Sequence, residues 1–164
     1  MVSKRLSHEK GHKRKFLAII DDTPECRRAV AYAARRAKHN DNGALILLYV
    51  IDDSEFQHFL GVGDIMRTEA HERANITLAQ ITSQIRNELA IETEVIIKEG
   101  DSAEQIAKLI EEDQDIAIMV LAAGAGNEGP GPLIQLIAGR NTPFSIPVTI
   151  IPNSLDDEDI DAVT

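Results

Sequence analysis

The chain has 164 residues, a formal net charge of −10, and 4% aromatic residues with no tryptophan. The negative charge opposes binding to DNA and to anionic membrane surfaces. The scarcity of aromatic side chains argues against the base-stacking surfaces that bind single-stranded nucleic acid. The length suits one domain, and 43% hydrophobic residues can supply an aliphatic core. We therefore expect partners other than nucleic acids and membranes.

The terminal regions and the single cysteine indicate the cellular compartment of the protein. No apolar run approaches the roughly 20 residues of a membrane helix, and the basic N-terminal stretch MVSKRLSHEKGHKRK lacks the apolar segment of a secretory signal. Cys26 has no second cysteine with which to form an internal disulfide. These features predict a cytoplasmic protein.

Charge is concentrated at the two ends of the chain. Residues 1–14 are rich in Lys and Arg, and residues 153–164 carry acids without a base. Charge runs of this kind are usually solvated. We expect a basic flexible tail over residues 1–14, an α/β domain over residues 15–152, and an acidic flexible tail over residues 153–164.

Short apolar runs alternate with helical patterns between these tails. The runs are continuous, as parallel strands covered on both faces require, and they fall at 16–20, 44–51, 94–98, 116–123 and 147–151. A period near 3.6 marks the intervening segments. Thr23 is expected to cap the first helix with Pro24 at its first position, and Ser102 with Gln105 to form a capping box. The fold class is α/β, an open five-stranded parallel sheet with helices on both faces.

Ligands of such sheets bind beyond the carboxyl ends of the strands, where the most distinctive loop is VLAAGAGNEGPGPLIQLIAG, residues 120–139. It contains a GxGxxG motif at 124–129. The dinucleotide fingerprint belongs in the first βαβ unit, whereas this motif follows the fourth strand, so a Rossmann dehydrogenase is not favoured. Two interpretations remain: a loop whose backbone N–H groups approach an anion, or a solvent loop that uses Gly and Pro for turns.

Other motifs give no catalytic or metal site. The HExxH pattern at 8–12 lies in the basic tail, where Gly11 weakens any helix that would align its histidines. Asp21 and Asp22 follow the first strand as in a response-regulator receiver, but the later strands end in residues that do not fit that family. Cys26 falls on the inward stripe of a helix, as a core residue would. An enzyme is therefore the less favoured class of protein.

Four segments together resemble the universal stress protein family over residues 13–152. They are KRKFLAIIDDTPECRRAVAYAARRAK, ALILLYVIDD, VIIKEGDSAEQIAKLIEEDQDIAIMVLAAG and PVTIIP. The resemblance implies a Rossmann-like five-stranded parallel sheet and a homodimer. In many members of the family ATP or AMP is bound in a regulatory role. Those members hold adenine with an Asp after the first strand and a Val near the end of the second, and wrap the phosphates with a G-x2-G-x9-G-[S/T] loop.

Asp21 and Val50 match the two adenine-contacting positions. The spacing G-x2-G-x9-G is reproduced by Gly126, Gly129 and Gly139, and Arg140 stands where the hydroxyl residue should be. This match is one register of the chain against the family motif. In a second register a helix runs from Pro132 to Gly139, and half of the motif is deleted. Proline at the first helical position favours this second register. The candidate phosphate-facing groups are then the N–H groups of Gly126, Gly129 and Gly131.

The sequence therefore predicts a universal-stress-type protein that binds ATP or AMP, with Mg²⁺ to neutralise nearby acids. These acids are Asp22, Asp52, Asp53, Asp101 and Glu128. They should weaken the binding of ATP more than the binding of AMP. The alternative is a stress or interaction protein of the same fold that has lost nucleotide binding. A homodimer is expected through residues 147–151, because an apolar edge strand invites pairing with a copy of itself.

Overall fold

The computed structural model describes residues 4–54, 56, 61–126, 129–139 and 141–164. Its strands are β1 (Arg14–Ile20), β2 (Gly43–Ile51), β3 (Thr93–Glu99), β4 (Ile116–Ala122) and β5 (Val148–Ile151). Its helices are α1 (Cys26–His39), α2 (Gly63–Leu89), α3 (Ser102–Glu112), α4 (Pro132–Ala138) and α5 (Asp157–Val163). All neighbouring strands pair in parallel in the order β3-β2-β1-β4-β5. The predicted open five-stranded sheet is confirmed.

The sheet is covered on both faces, which explains the continuous apolar runs. Phe16, Ala18 and Ile20 of β1 face one cluster with α1, α2 and α5. Leu17 and Ile19 face a second cluster with α3 and α4. The right-handed rule for parallel crossovers accounts for this division. The connections through α1 and α2 run from β1 towards β3, and those through α3 and α4 run in the opposite direction, from β3 past β1 to β5, so the two pairs of helices lie on opposite faces. No helix among the described residues is both long and apolar enough to cross a membrane.

Two of the predicted helix caps are wrong. The first helix begins at Cys26, and the carboxylate of Asp21 instead accepts the N–H (2.9 Å) and the hydroxyl of Thr23. This local turn competes with a cap at Thr23. The helix α3 is capped by Asp101, whose carboxylate accepts the N–H of Glu104 at 3.0 Å. A carboxylate at this position also complements the helix dipole, which a serine cannot do.

The fourth helix takes the second of the two registers. It begins at Pro132 and ends at Ala138. Gly131 precedes it with φ of +115°, a conformation that side chains other than glycine rarely adopt. Proline needs no N–H partner at the first helical position, which explains why the helix starts there.

The C-terminal segment, for which an acidic flexible tail is predicted, contains the helix α5 over residues 157–163. Asp156 and Asp159 make a reciprocal capping box, and acids in the first turn complement the helix dipole. Ile160 is 0% exposed and belongs to the cluster that includes α1. A single buried isoleucine therefore orders a segment whose composition is otherwise that of a solvated tail.

Residues of the basic N-terminal segment, for which a flexible tail is predicted, make defined contacts with the α/β domain. The guanidinium of Arg5 donates to the backbone oxygens of Ile110, Asp113 (2.7 Å) and Gln114 (3.4 Å), at the C-terminal end of α3. Carbonyls in the last helical turn lack intrahelical donors and carry partial negative charge, so a cation stabilises them. His12 also contacts Asp115, at 2.7 Å. The HExxH pattern lies in turns, and no metal-binding cluster occurs among the described residues.

We predict that Arg5→Ala destabilises the protein by about 1–2 kcal/mol, because the α3 carbonyls lose charge-assisted hydrogen bonds. Urea denaturation followed by circular dichroism would measure the change. Lys4→Ala is the matched control, since the Lys4 side chain is 77% exposed and should contribute less than about 0.5 kcal/mol. Equal denaturation midpoints for the two variants would contradict a stabilising role for Arg5.

Candidate functional site

A cleft opens at the carboxyl edge of the sheet, on the face covered by α3 and α4. The strand order reverses here, since β2 lies on one side of β1 and β4 on the other. Loops leaving such a pair diverge and leave a crevice, the usual ligand position in open α/β sheets. Its volume is about 860 Å³, which lies in the range of small-molecule sites.

Four loops line the cleft. The β1–α1 turn contributes Asp21, Thr23 and Glu25, and the end of β2 contributes Val50 with residues 52–54. The β3–α3 turn contributes residues 100–103, and the β4–α4 segment contributes residues 130–134 and Leu136. The parallel arrangement therefore brings residues more than 100 positions apart in the sequence to one edge.

Asp21 is held by its own turn. One carboxylate oxygen accepts both the N–H and the hydroxyl of Thr23, and the Cys26 thiol lies 3.5 Å from the backbone oxygen of Asp21. The neighbouring Asp22 does not line the cleft and instead accepts the hydroxyl of Tyr49 at 3.0 Å. Burial, aided by this bond to a carboxylate, raises the pKa of Tyr49 to about 12. The two adjacent acids thus have different roles, one at the cleft and one in a structural hydrogen bond.

The floor of the cleft is apolar. Val50 is partly buried and packs against the α3 and α4 cluster, and Ile19 and Leu121 lie beside the cleft with it. Cys26 also borders the cleft but is only 6% exposed. Burial raises the pKa of its thiol to about 11, so the thiol stays protonated at neutral pH. The floor can hold a flat apolar ring and offers no reactive nucleophile from Cys26.

The glycine loop does not form one cradle. Of its candidate glycines only Gly131 lines the cleft, whereas Gly126, Gly129 and Gly139 do not. The N–H of Gly129 bonds to Gly126 O at 3.4 Å, and the N–H of Gly139 bonds to Leu136 O at 3.2 Å. The x9 segment between these two glycines is largely α4, which cannot wrap around a ligand. Arg140 and Glu128 lie outside the described residues.

The electrostatic character of the cleft is acidic. No Lys, Arg or His lines it in the part of the chain that the structure describes, and its carboxylates are Asp21, Glu25, Asp52, Asp53 and Asp101. Hydrogen bonds from the backbone and side chain of Ser54 lower the pKa of Asp52. Highly charged anions are therefore disfavoured unless a cation accompanies them.

Sequence reasoning missed Glu25 as a cleft residue. Its carboxylate lies against the β4–α4 loop, since a Cβ added at Gly124 would come within 2.9 Å of Glu25 Oε1. The one sequence feature that pointed to Glu25 was its place in the turn after the first strand. The neighbouring acids Asp21 and Asp22 share this feature, so it did not distinguish Glu25 from them. Its position against Gly124 depends on two loops that are nearly 100 residues apart.

Comparisons with known proteins agree with this architecture. The profile described as the Universal stress protein family matches residues 13–142. No curated protein sequence matches the chain.

Several solved structures have the same fold. The universal stress protein UspA from Lactobacillus plantarum is 18% identical, with a TM-score of 0.68 over 87% of this chain and 99% of that chain. The hypothetical protein MJ0577, a test case for assigning biochemical function from structure, is 17% identical, with a TM-score of 0.73 over 88% of this chain and 99% of that chain. A universal stress family protein from Burkholderia pseudomallei is 18% identical, with a TM-score of 0.63 over 85% and 96%. From the profile match and the doubly covered parallel sheet, we conclude that the chain belongs to the universal stress protein family.

Proposed function

We propose that the cleft binds an adenine nucleotide in a regulatory role, with AMP bound more tightly than ATP. The observation that carries this proposal is the cleft of about 860 Å³ between β1 and β4, with the Asp21 carboxylate beside the Val50 floor. A carboxylate can accept a hydrogen bond from the adenine amino group, and the apolar floor can pack against the ring. This pairing matches the two adenine-contacting positions that the family resemblance implies.

The acidic lining sets the expected order of affinities. Each phosphate added to the nucleotide brings negative charge towards the five carboxylates of the cleft. Gly131 is the glycine of the loop that lines the cleft, and its N–H bonds to no described backbone oxygen. One backbone N–H donor compensates poorly for the repulsion between a triphosphate and these carboxylates. Mg²⁺ would offset the repulsion, so ATP binding should depend on Mg²⁺ more than AMP binding does.

The alternative is an interaction protein of the same fold without a nucleotide. The acidic cleft favours this alternative because its carboxylates repel phosphates. The internal hydrogen bonds of Gly129 and Gly139 also favour it, because they occupy N–H donors that would otherwise face phosphates. The two functions differ in one measurable property, the affinity of the full chain for AMP.

We predict that Asp21→Asn weakens AMP binding about tenfold, the effect of losing one charge-assisted hydrogen bond. Asparagine keeps an oxygen for Thr23 but replaces the other carboxylate oxygen with an amide NH₂, which cannot accept a hydrogen bond. Titration calorimetry with AMP and ATP, each with and without Mg²⁺, would measure the change. Asp41→Asn is the matched control, since Asp41 is exposed in the turn between α1 and β2, at the opposite edge of the sheet.

Two results would contradict the proposal. Absence of binding to the unaltered chain under all four conditions would favour the interaction protein. Equal affinities for Asp21→Asn and Asp41→Asn, with AMP bound by both, would remove Asp21 from the site while leaving nucleotide binding intact.

We also propose a homodimer through β5, within residues 147–151. Among the described strands it pairs with β4 alone, and Ile150 is 40% exposed at the sheet edge. The backbone oxygens of Pro147 and Ile151 bond towards β4, so the alternation of a strand directs the N–H groups of Val148 and Ile150 outwards. Those two groups can pair with the same strand of a second copy.

Sedimentation at micromolar concentration should therefore give about twice the 18.0 kDa chain mass. We predict that Ile150→Pro yields a monomer, because proline removes an outward donor without removing a hydrogen bond to β4. Ile150→Val, which keeps the N–H, should remain dimeric. A monomeric unaltered chain, or a dimeric Ile150→Pro variant, would contradict pairing through this edge.

A further inference from the structure

The seat of α5 on α1 has the chemistry of a helix-docking site. Ile160 is fully buried in the α1 cluster, and Leu155, just before the helix, packs against the same cluster. Around this apolar anchor, Arg35 Nε contacts Asp161 Oδ1 at 3.1 Å, and His39 Nδ1 contacts the backbone oxygen of Thr164 at 3.2 Å. An acidic helix is thus held by one isoleucine and a basic rim.

The attachment of α5 is limited. It has seven residues, fewer than an isolated helix needs for stability in water, so its helical state depends on docking and on its capping box. Ile160 is its only buried residue. The segment also lies beyond residues 13–142, which match the family profile. A short terminal element with a single anchor opens more readily than the sheet beneath it.

A pocket of about 160 Å³ adjoins this seat, between α1 and α2. Its apolar walls are Val30, Ala31, Ala34, Ile81, Ile85 and Leu89, of which Val30, Ala34, Ile81 and Ile85 are at most 5% exposed. Its polar rim consists of Arg27, Arg35, Gln84, Glu88 and Asp157. The helix α5 contributes only the acid Asp157 to this pocket, although an aliphatic side chain would match the walls better. The helix α5 therefore leaves the space beside Asp157 unfilled.

We propose that the α5 seat and the adjoining pocket form a docking site for an acidic amphipathic helix of a partner protein, and that α5 is the intramolecular occupant displaced by that partner. Charge complementarity defines the partner. Arg27 and Arg35 lie along the groove, and the helix it holds carries Asp157, Glu158, Asp159 and Asp161. The pocket selects a partner helix with a second aliphatic residue one turn before the Ile160 equivalent. This surface is separate from the nucleotide cleft and does not depend on it.

The test uses a fluorescent synthetic peptide of residues 153–164, NSLDDEDIDAVT, as the probe. Fluorescence anisotropy would compare its binding to the unaltered full chain and to full-length Ile160→Asp, whose own α5 lacks its anchor. We expect at least about tenfold tighter binding to Ile160→Asp, because the unaltered chain exposes the seat only in the fraction of molecules with α5 released. A peptide carrying Ile160→Asp should not bind.

Two further peptides test the pocket. A peptide with Asp157→Leu places an aliphatic side chain at the pocket and should bind about tenfold more tightly than the parent peptide. A peptide with Glu158→Leu has the same added residue at an exposed position outside the pocket and should match the parent. If Ile160→Asp fails to fold cooperatively, the full-length capping variant Asp156→Ala replaces it, since it weakens α5 and leaves the seat unchanged.

Three results would overturn the proposal. They are no peptide binding to a folded released variant, equal binding to the released and unaltered chains, and equal affinities of the two leucine peptides. A dimer of the unaltered chain that Ile160→Asp abolishes would make a second copy the occupant and overturn the assignment to a partner protein.

Discussion

Burial of β1 on both faces and both edges is the constraint on which the rest of the structure depends. Residues 16–20 are all at most 8% exposed, and each side chain must contact a helix layer on one side of the sheet or the other. Both edges of β1 are satisfied by parallel neighbours. Because parallel strands need long crossovers, β2 and β4 are reached through helices that pack on opposite faces. The divergence of those crossovers at Ile20 produces the cleft.

The cleft combines the usual ligand position of an open α/β sheet with an acidic lining. Its position and its apolar floor follow from the strand order of the sheet, and the fold as a whole is similar to that of a solved universal stress protein. Its acids come from loops that the strand order leaves free to vary. The helix α4 takes up most of the segment between Gly129 and Gly139, so that this segment does not wrap around the cleft. The fold therefore determines where a ligand can bind, and the loop chemistry determines which charge it can carry.

The two ends of the chain are ordered by different physical interactions. Arg5 is held by charge-assisted hydrogen bonds to the end of α3, whereas α5 is held by burial of Ile160 and by its own cap. Both segments have the composition of solvated charge runs, but residues 5–7, 9 and 12 of the N-terminal segment are partly buried. In each segment a few contacts with distant parts of the chain order the neighbouring backbone. On α1, this leaves a basic and apolar surface beneath an acidic helix.

The sequence by itself determined the strands and the parallel sheet, because continuous apolar runs require burial on both faces. It favoured the observed register of α4 through the proline at position 132, and the structure decided between the two registers. It also placed Asp21 and Val50 at one edge, because residues that follow parallel strands must meet there. Only the tertiary structure decided the position of Glu25 against the β4–α4 loop, the internal bonds of Gly129 and Gly139, and the docking of Arg5 and Ile160. Arg5 and Ile110 are 105 residues apart, and Arg35 and Asp161 are 126 apart. Contacts of this kind leave no periodic pattern in the sequence, because they depend on which surfaces the folded sheet brings together.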